Sequence, residues 1–163
     1  MDARFKLREA TNADIEIVKA LVFSVLEEYT IPRGDGSTDA DLDDIEGNYN
    51  RNGGYFTVVE EGNRIVASMG VRRIDNETCE LRKMYALPAA RGRGLGKLLM
   101  ELALDKAREL GFRRMVLETA SPLKEAIALY KKYGFQEYQP GQIADRCDQA
   151  YELLLHQVGK KQE

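Results

Sequence analysis

Histidine is nearly absent from this chain: 163 residues hold one, together with two cysteines. A lone histidine supports neither a histidine-based metal site nor a Ser-His-Asp triad. Cys79 and Cys147 lack metal-ligand spacing and read as reduced thiols of a cytoplasmic protein rather than as a disulfide framework. Neither lies in a motif that would carry an acyl group, so both are expected to be dispensable. No run of about 20 apolar residues is present, so no membrane span is expected. The start, Met1-Asp2-Ala3-Arg4-Phe5-Lys6, lacks the apolar core of a signal peptide. Neither sign of charge dominates: 31% of residues are charged and the net charge is −3, so no basic field favours nucleic acid. No repeat and no linker divides the chain, and its length suffices for one domain with a substantial core. That domain is expected over residues 1–158, followed by a polar tail at 159–163.

What the chain does have is glycine at a telling place. Arg91-Gly92-Arg93-Gly94-Leu95-Gly96 separates a strand-like stretch at 80–86 from a strongly amphipathic one. Glycines ending at a helix start expose backbone N–H groups at the helix's positive end, an arrangement that attracts phosphate. Arg91 and Arg93 add charge within reach of the same anion. Two commoner phosphate loops fail letter by letter. In a Walker A reading Arg91 replaces the first glycine and Leu98 the magnesium-binding hydroxyl. The dinucleotide pattern Gly-x-Gly-x-x-Gly is missed by one residue, since these glycines run Gly-x-Gly-x-Gly.

Around this loop the periodicity predicts a strand at 4–8, a helix from a Thr11–Asp14 capping box to Tyr29, and a second, acidic helix over 39–49. A hairpin follows at 55–60 and 64–72, then a strand at 79–86 on which Glu80, Arg82, Met84 and Ala86 share a face. A helix beginning near Leu95 ends at Gly111. A strand at 114–119, a helix at 123–133 and strands at 135–138 and 149–156 complete the order.

The glycine stretch resembles the acetyl-CoA-binding signature of the GCN5-related N-acetyltransferase (GNAT) family, Arg/Gln-x-x-Gly-x-Gly/Ala, matched by Arg91, Gly94 and Gly96. Leu81-Arg82-Lys83-Met84-Tyr85-Ala86-Leu87-Pro88 resembles the family's fourth strand and the turn after it. Ala126-Ile127-Ala128-Leu129-Tyr130-Lys131-Lys132-Tyr133-Gly134-Phe135 resembles its late helix and closing Gly-Phe. The resemblance implies an α/β fold: a mostly antiparallel mixed sheet of six or seven strands flanked by about four helices, its fourth and fifth strands splayed. It further implies that acetyl-CoA lays its pantetheine arm along Met84, Tyr85 and Ala86. The pyrophosphate would rest on the loop formed by Arg91, Gly92, Arg93, Gly94, Leu95 and Gly96. Lys97, in the first helical turn, opposes the helix dipole, a placement that a bound anion explains. One position departs from the family: Leu123 stands where an asparagine often contacts the cofactor, leaving that role to Ser121 or Thr119.

Acetylating an amine requires removing a proton from an ammonium of pKa about 10.4, which costs roughly 4–5 kcal/mol at neutral pH. A departing thiolate must also be protonated. The resemblance assigns Tyr130 as the acid; its bland alternative is an aromatic packed under the helix, its hydroxyl tied to backbone. Glu80 is the candidate base, set 91 − 80 = 11 residues before Arg91, as in the histone-acetyltransferase branch. Its alternatives are a surface glutamate paired with Arg82 or Lys83, or a water relay with no dedicated base. Tyr133 is expected to pack. No metal is implied. The acceptor is expected to be a primary amine of a small molecule or a peptide. Asp35, Asp39, Asp41, Asp43, Asp44 and Glu46 either form an acidic rim favouring a cationic amine or make an ordinary solvated helix face. Tyr29, Tyr49 and Tyr55 either line the same mouth or pack. The rival readings are an acyltransferase of this fold using another acyl group or a hydroxyl acceptor, and a catalytically silent CoA-binding module. Homodimerisation through edge strands or the last hairpin fits the family, although no residue demands it.

Overall fold

The structure, a computed structural model, describes residues 4–155. Apolar–polar alternation at the start yields β1 (Phe5–Glu9). The capping box forms as expected: the Thr11 hydroxyl accepts from the Ala13 N–H at 3.3 Å, and the Asp14 carboxylate accepts from the Thr11 N–H at 2.9 Å. It opens α1 (Ile15–Glu28), which buries Val18, Leu21, Val22, Val25 and Leu26, the face its spacing predicts.

The acidic segment departs from its periodicity. In place of one helix over 39–49, the chain makes a 3-10 stretch (Ser37–Asp44) and a single helical turn, α2 (Ile45–Asn48). Asp39 and Asp41 are buried and turned inward onto cations rather than displayed on a solvated face. Asp44 then restarts the helix by accepting from the Gly47 N–H at 3.0 Å.

β2 (Tyr55–Glu61) and β3 (Arg64–Arg73) form the expected hairpin, with Gly62 at φ +66° in its turn. β4 (Thr78–Ala86), α3 (Leu95–Glu109), β5 (Arg114–Thr119), α4 (Lys124–Lys132), β6 (Gln136–Glu137) and β7 (Gln149–Leu154) follow. α3 ends at Gly111, φ +91°, as the sequence indicates. β6 is shorter than the expected 135–138. Of the expected 149–156 strand, His156 lies outside the described residues, as does the 159–163 tail.

Seven strands form one mixed sheet in the order β1-β2-β3-β4-β5-β7-β6, antiparallel except where β4 meets β5. One core cluster packs α3 and α4 on the sheet through residues such as Leu99, Met100 and Met115. The other packs α1 and α2 on it through Val22, Ile45 and Phe56. Each such fully buried side chain is worth about 1.5–3 kcal/mol.

Two irregularities of β4 shape the site. Its parallel pairing with β5 covers Thr78↔Arg114, Cys79↔Met115 and Glu80↔Val116 and then stops, although β4 continues to Ala86 and β5 to Thr119. The strands part there. On its other side the register slips: Gly70 opposes Arg82 and Ser68 opposes Tyr85, so Met69 faces both Lys83 and Met84. This is a β-bulge, and Lys83 sits in it at φ +57°. The bulge overturns the alternation read from sequence. Arg82 and Lys83 both reach Asp41, whereas Met84 and Ala86 pack with the α3 cluster and Tyr85 with the α1 cluster. Glu80 and Met84 therefore do not share a face.

Candidate functional site

Gly92 (φ +74°) and Gly94 (φ +83°) turn the chain from the Pro88–Ala90 3-10 turn into α3. Side chains at either position would meet nothing within 4 Å, so conformation rather than crowding calls for glycine. Gly94 caps α3, and no side chain bonds to its first turn. The Leu98 N–H reaches the Gly94 carbonyl at 3.2 Å, which leaves the amides of Leu95, Gly96 and Lys97 without intrahelical acceptors at the positive end of the dipole. Gly96 lies where α3 crosses α4, and a Cβ there would make only ordinary contact with Leu129.

Both loop arginines are tied to carboxylates of other elements, Arg91 at the edge of the cavity. Arg91 donates to both oxygens of Glu28 at 2.7 and 2.8 Å, and its Nε donates to the Ala86 carbonyl at 2.9 Å. Arg93 pairs with Glu61 and stacks 4.3 Å over the Phe5 ring. Their sequence signal was charge in a loop; their observed work is to strap the loop to α1 and to the first hairpin. Lys97 is exposed and makes no ion pair among the described residues.

Beyond the bulge, β4 offers a free edge. The Leu87 N–H bonds to Val66 on β3 at 2.9 Å, and Arg91 takes the Ala86 carbonyl from the opposite side. By strand alternation the N–H groups of Met84 and Ala86 then point away from β3, into the gap that β5 leaves.

Facing that gap is a buried charge cluster that spacing along the chain gave no means to find. Lys83 donates to Asp41 at 3.1 Å and to the Thr38 carbonyl at 3.2 Å, and lies 3.3 Å from Asp39. Arg82 bridges Asp41 (3.3 Å), the Thr38 carbonyl (2.6 Å) and Glu80 (3.3 Å). Arg146, from the stretch before β7, clamps Asp39 at 2.7 and 2.9 Å, and the Tyr49 hydroxyl donates to Asp41. Burial alone would raise the Asp41 pKa, but Lys83 and Arg82 hold it below the usual carboxylate range. The remaining acids are engaged as well: Asp43 with Lys19, Glu46 with Arg51, Asp44 as a cap, and Asp35 accepting from the Ser37 N–H and hydroxyl. The segment is therefore not an acidic rim. Tyr29 lines the cavity beside Arg91, Tyr49 is buried with Asp41, and Tyr55 lies under Lys106.

Glu80 is buried, not a surface residue. Burial and then nearby Glu118, on β5, push its pKa above the ordinary value against the pull of Arg82. Tyr130, on α4, is buried against Phe135 and Tyr151, and its hydroxyl finds no hydrogen-bond partner among the described residues. Burial, with Tyr85 and Cys147 nearby, raises its pKa and keeps it protonated. The alternative of a hydroxyl tied to backbone is not what the structure shows. Tyr133 packs on the same cluster and donates to Glu101 at 3.0 Å. Cys79 is buried in the sheet, while Cys147 borders the cavity, both as free thiols. Leu123 and Thr119 line the cavity; the Ser121 N–H is spent on Asp148.

The mixed sheet thus parts beside an uncapped helix start, and Tyr130 is buried at the junction with no hydrogen-bond partner for its hydroxyl among the described residues. The profile of the acetyltransferase (GNAT) family matches residues 21–135, and the chain belongs to that family. Over 135 residues it is 40% identical to the uncharacterized N-acetyltransferase YjgM of Escherichia coli (strain K12), covering 80% of this chain and 81% of that protein. It is 38% identical over 77 residues to an IAA acetyltransferase of Azospirillum brasilense, covering 46% of this chain and 50% of that one. In several further relatives the matching stretch likewise spans half the protein or less. A GNAT-family acetyltransferase structure from Staphylococcus aureus Mu50 superposes with a TM-score of 0.86 at 24% identity, covering 93% of this chain and 99% of that one. The Salmonella typhimurium acetyltransferase yncA, solved with acetyl-CoA, gives a TM-score of 0.71 at 24% identity, with 96% of each chain covered. With its N-acetyltransferase homologues, this chain is an enzyme of that class. Among the described residues no helix is long and apolar enough to cross a membrane, and no group of side chains is arranged to hold a metal.

Proposed function

We propose that this protein, as one domain over residues 1–158, transfers acetyl from acetyl-CoA directly to a primary amine of a small molecule or peptide. The observation that carries this reading is that one cavity of about 270 Å³ joins the start of α3, the unpaired edge of β4, Glu80 and Tyr130. The residues present fit the donor: bare helix amides suit a pyrophosphate, and the free Met84 and Ala86 N–H groups suit the amide-bearing pantetheine arm. Gly92, Arg93, Gly94, Leu95, Gly96 and Lys97 form this seat through backbone amides, with the side chains of Arg91, whose own N–H donates to the Pro88 carbonyl, and Arg93 strapping it and Lys97 supplying charge.

The donor supplies an acetyl thioester; the chain supplies placement and proton handling. Glu80, its pKa raised by burial and Glu118 beside it, attracts the acceptor's ammonium and takes its proton, directly or through water. The Met84 N–H stands where negative charge would grow on the thioester oxygen. The Tyr130 hydroxyl, unbonded and protonated, gives its proton to the leaving sulfur. No cysteine is needed. In this reading the acceptor's charge is met by Glu80 and Glu118, which line the cavity, rather than by the acidic segment, whose carboxylates do not.

Titration with acetyl-CoA, CoA and ATP tests the donor site, followed by an amine screen for free-thiol release. Micromolar binding of both CoA species without ATP binding, and thiol release with an amine, is the expected result. Absence of CoA binding would return the glycine loop to the status of a turn.

A further inference from the structure

Lys83 is the residue in β4 whose backbone and side chain are both unusual. Its φ of +57° is one that L-residues with a full side chain rarely adopt, yet it lies inside a strand and next to the free edge. The three protons of its ammonium meet three acceptors: Asp41, Asp39 and the Thr38 carbonyl, at 3.1, 3.3 and 3.2 Å. Its own carbonyl accepts from the buried Ser68 hydroxyl at 2.7 Å. The residue is thus held from both ends, by the segment 38–41 on one side and by β3 on the other. Met84, whose N–H points into the gap, comes directly after it.

We infer that Lys83 is a positioning residue: its buried ammonium, anchored on Asp39, Asp41 and the Thr38 carbonyl, fixes the left-handed turn of β4 that aims the Met84 N–H at the acyl carbonyl of the donor. The inference rests on the acetyl-CoA reading above. Without the anchor, a lysine-sized side chain at this φ relaxes toward ordinary strand geometry, since the single Ser68 hydrogen bond to its carbonyl is then left to offset the strain. The two register-related neighbours of Met69 then merge into one, and the Met84 N–H turns out of the gap. The pyrophosphate seat on α3, built from other residues, is untouched.

The consequence is a ranking that side-chain packing would reverse. Lys83→Met keeps most of the volume but loses the ammonium and still carries the penalty of a Cβ at this φ. Lys83→Gly loses the ammonium and the volume but adopts the left-handed region freely. If Lys83 only filled space, methionine would be the milder change. If it fixes the bulge, glycine is.

Amide NMR of labelled protein reads this directly, with free CoA and acetyl-CoA as probes, since only the latter carries the acyl carbonyl. In the parent protein the Met84 N–H is expected to move downfield with acetyl-CoA and not with CoA, while the Leu95 and Gly96 amides respond to both. The acyl-specific shift should be lost in Lys83→Met and partly kept in Lys83→Gly, with CoA affinity within a few-fold in each. Asp39→Asn, which weakens the anchor at constant volume, gives an intermediate shift and replaces Lys83→Met should that variant not fold. Lys19→Met, which unties the same segment from α1 without touching β4, keeps the full shift. An acyl-specific shift unchanged in Lys83→Gly and Asp39→Asn, or better kept in Lys83→Met than in Lys83→Gly, overturns the role of Lys83. A parent protein whose Leu95 and Gly96 amides ignore CoA instead overturns the donor reading beneath it.

Discussion

Tyr130 combines two properties that packing alone does not require: it is buried, and its hydroxyl meets no acceptor among the described residues. Tyr130→Phe is therefore expected to keep the core and lower kcat by about 10²-fold, with acetyl-CoA affinity within a few-fold. Unchanged turnover in steady-state kinetics would leave Tyr130 as packing. Glu80 gives a pH test. Its pKa is raised by burial, so the basic form prevails only above a pH higher than usual for a carboxylate, and the acid limb of kcat/KM shifts up accordingly. Glu80→Gln should remove that limb and lose most rate above it; a limb that survives the substitution assigns the proton to a water relay. Sequence singles out Tyr130 through its motif and Glu80 through its spacing from Arg91, and kinetics must decide both roles. The mutual pairing of Arg82, Lys83, Asp39 and Arg146 was not legible, since Lys83 and Asp41 lie 42 residues apart and only the topology brings them together.

At the scale of elements, α3 carries left-handed glycines at both ends, and they have different duties. Gly94 opens the helix at φ +83° under the donor seat, whereas Gly111 closes it at φ +91° on the far side. Gly94→Glu should abolish CoA binding in calorimetry, because a carboxylate then occupies the anion seat. Gly111→Ala should cost about 1–2 kcal/mol in denaturant unfolding and leave CoA binding intact. Equal binding loss in both would mean that helix integrity, not the seat, governs affinity. Most elements were legible because their apolar faces repeat with the period of the structure that buries them: α1, α3 and the first hairpin are where the pattern puts them. The 39–49 helix was misread because two of its acids are buried ion-pair partners, a tertiary demand that periodicity does not encode. The β4 bulge was missed for the same reason, and with it the true face of Met84.

For the whole molecule, acid is the predicted weakness. Asp14 is held below its usual pKa by Arg8, and Asp39 and Asp41 by their cations against the cost of burial. A folded-state pKa below the unfolded value contributes stability that is present above the unfolded pKa near 4 and is lost as pH falls through the folded one. Urea unfolding should therefore show stability declining in that acid window, with a shallower decline in Asp14→Asn; identical slopes would place the acid sensitivity elsewhere. Glu80, raised by burial, acts in the opposite sense and opposes folding at neutral pH. The fold class followed from the family resemblance and the succession of elements along the chain from periodicity, whereas the three-pair length of the β4–β5 junction was not readable, because it depends on where two parallel strands diverge. That short junction makes the protein two half-sheets, β1 to β4 and β5 with β7 and β6, joined by a narrow seam. A donor lying along β4 would act as mortar in the open part of that seam, taking up backbone groups that no strand of the protein satisfies. The enzyme would then be mechanically completed by its own reactant, rigid while loaded and free to breathe once the product leaves.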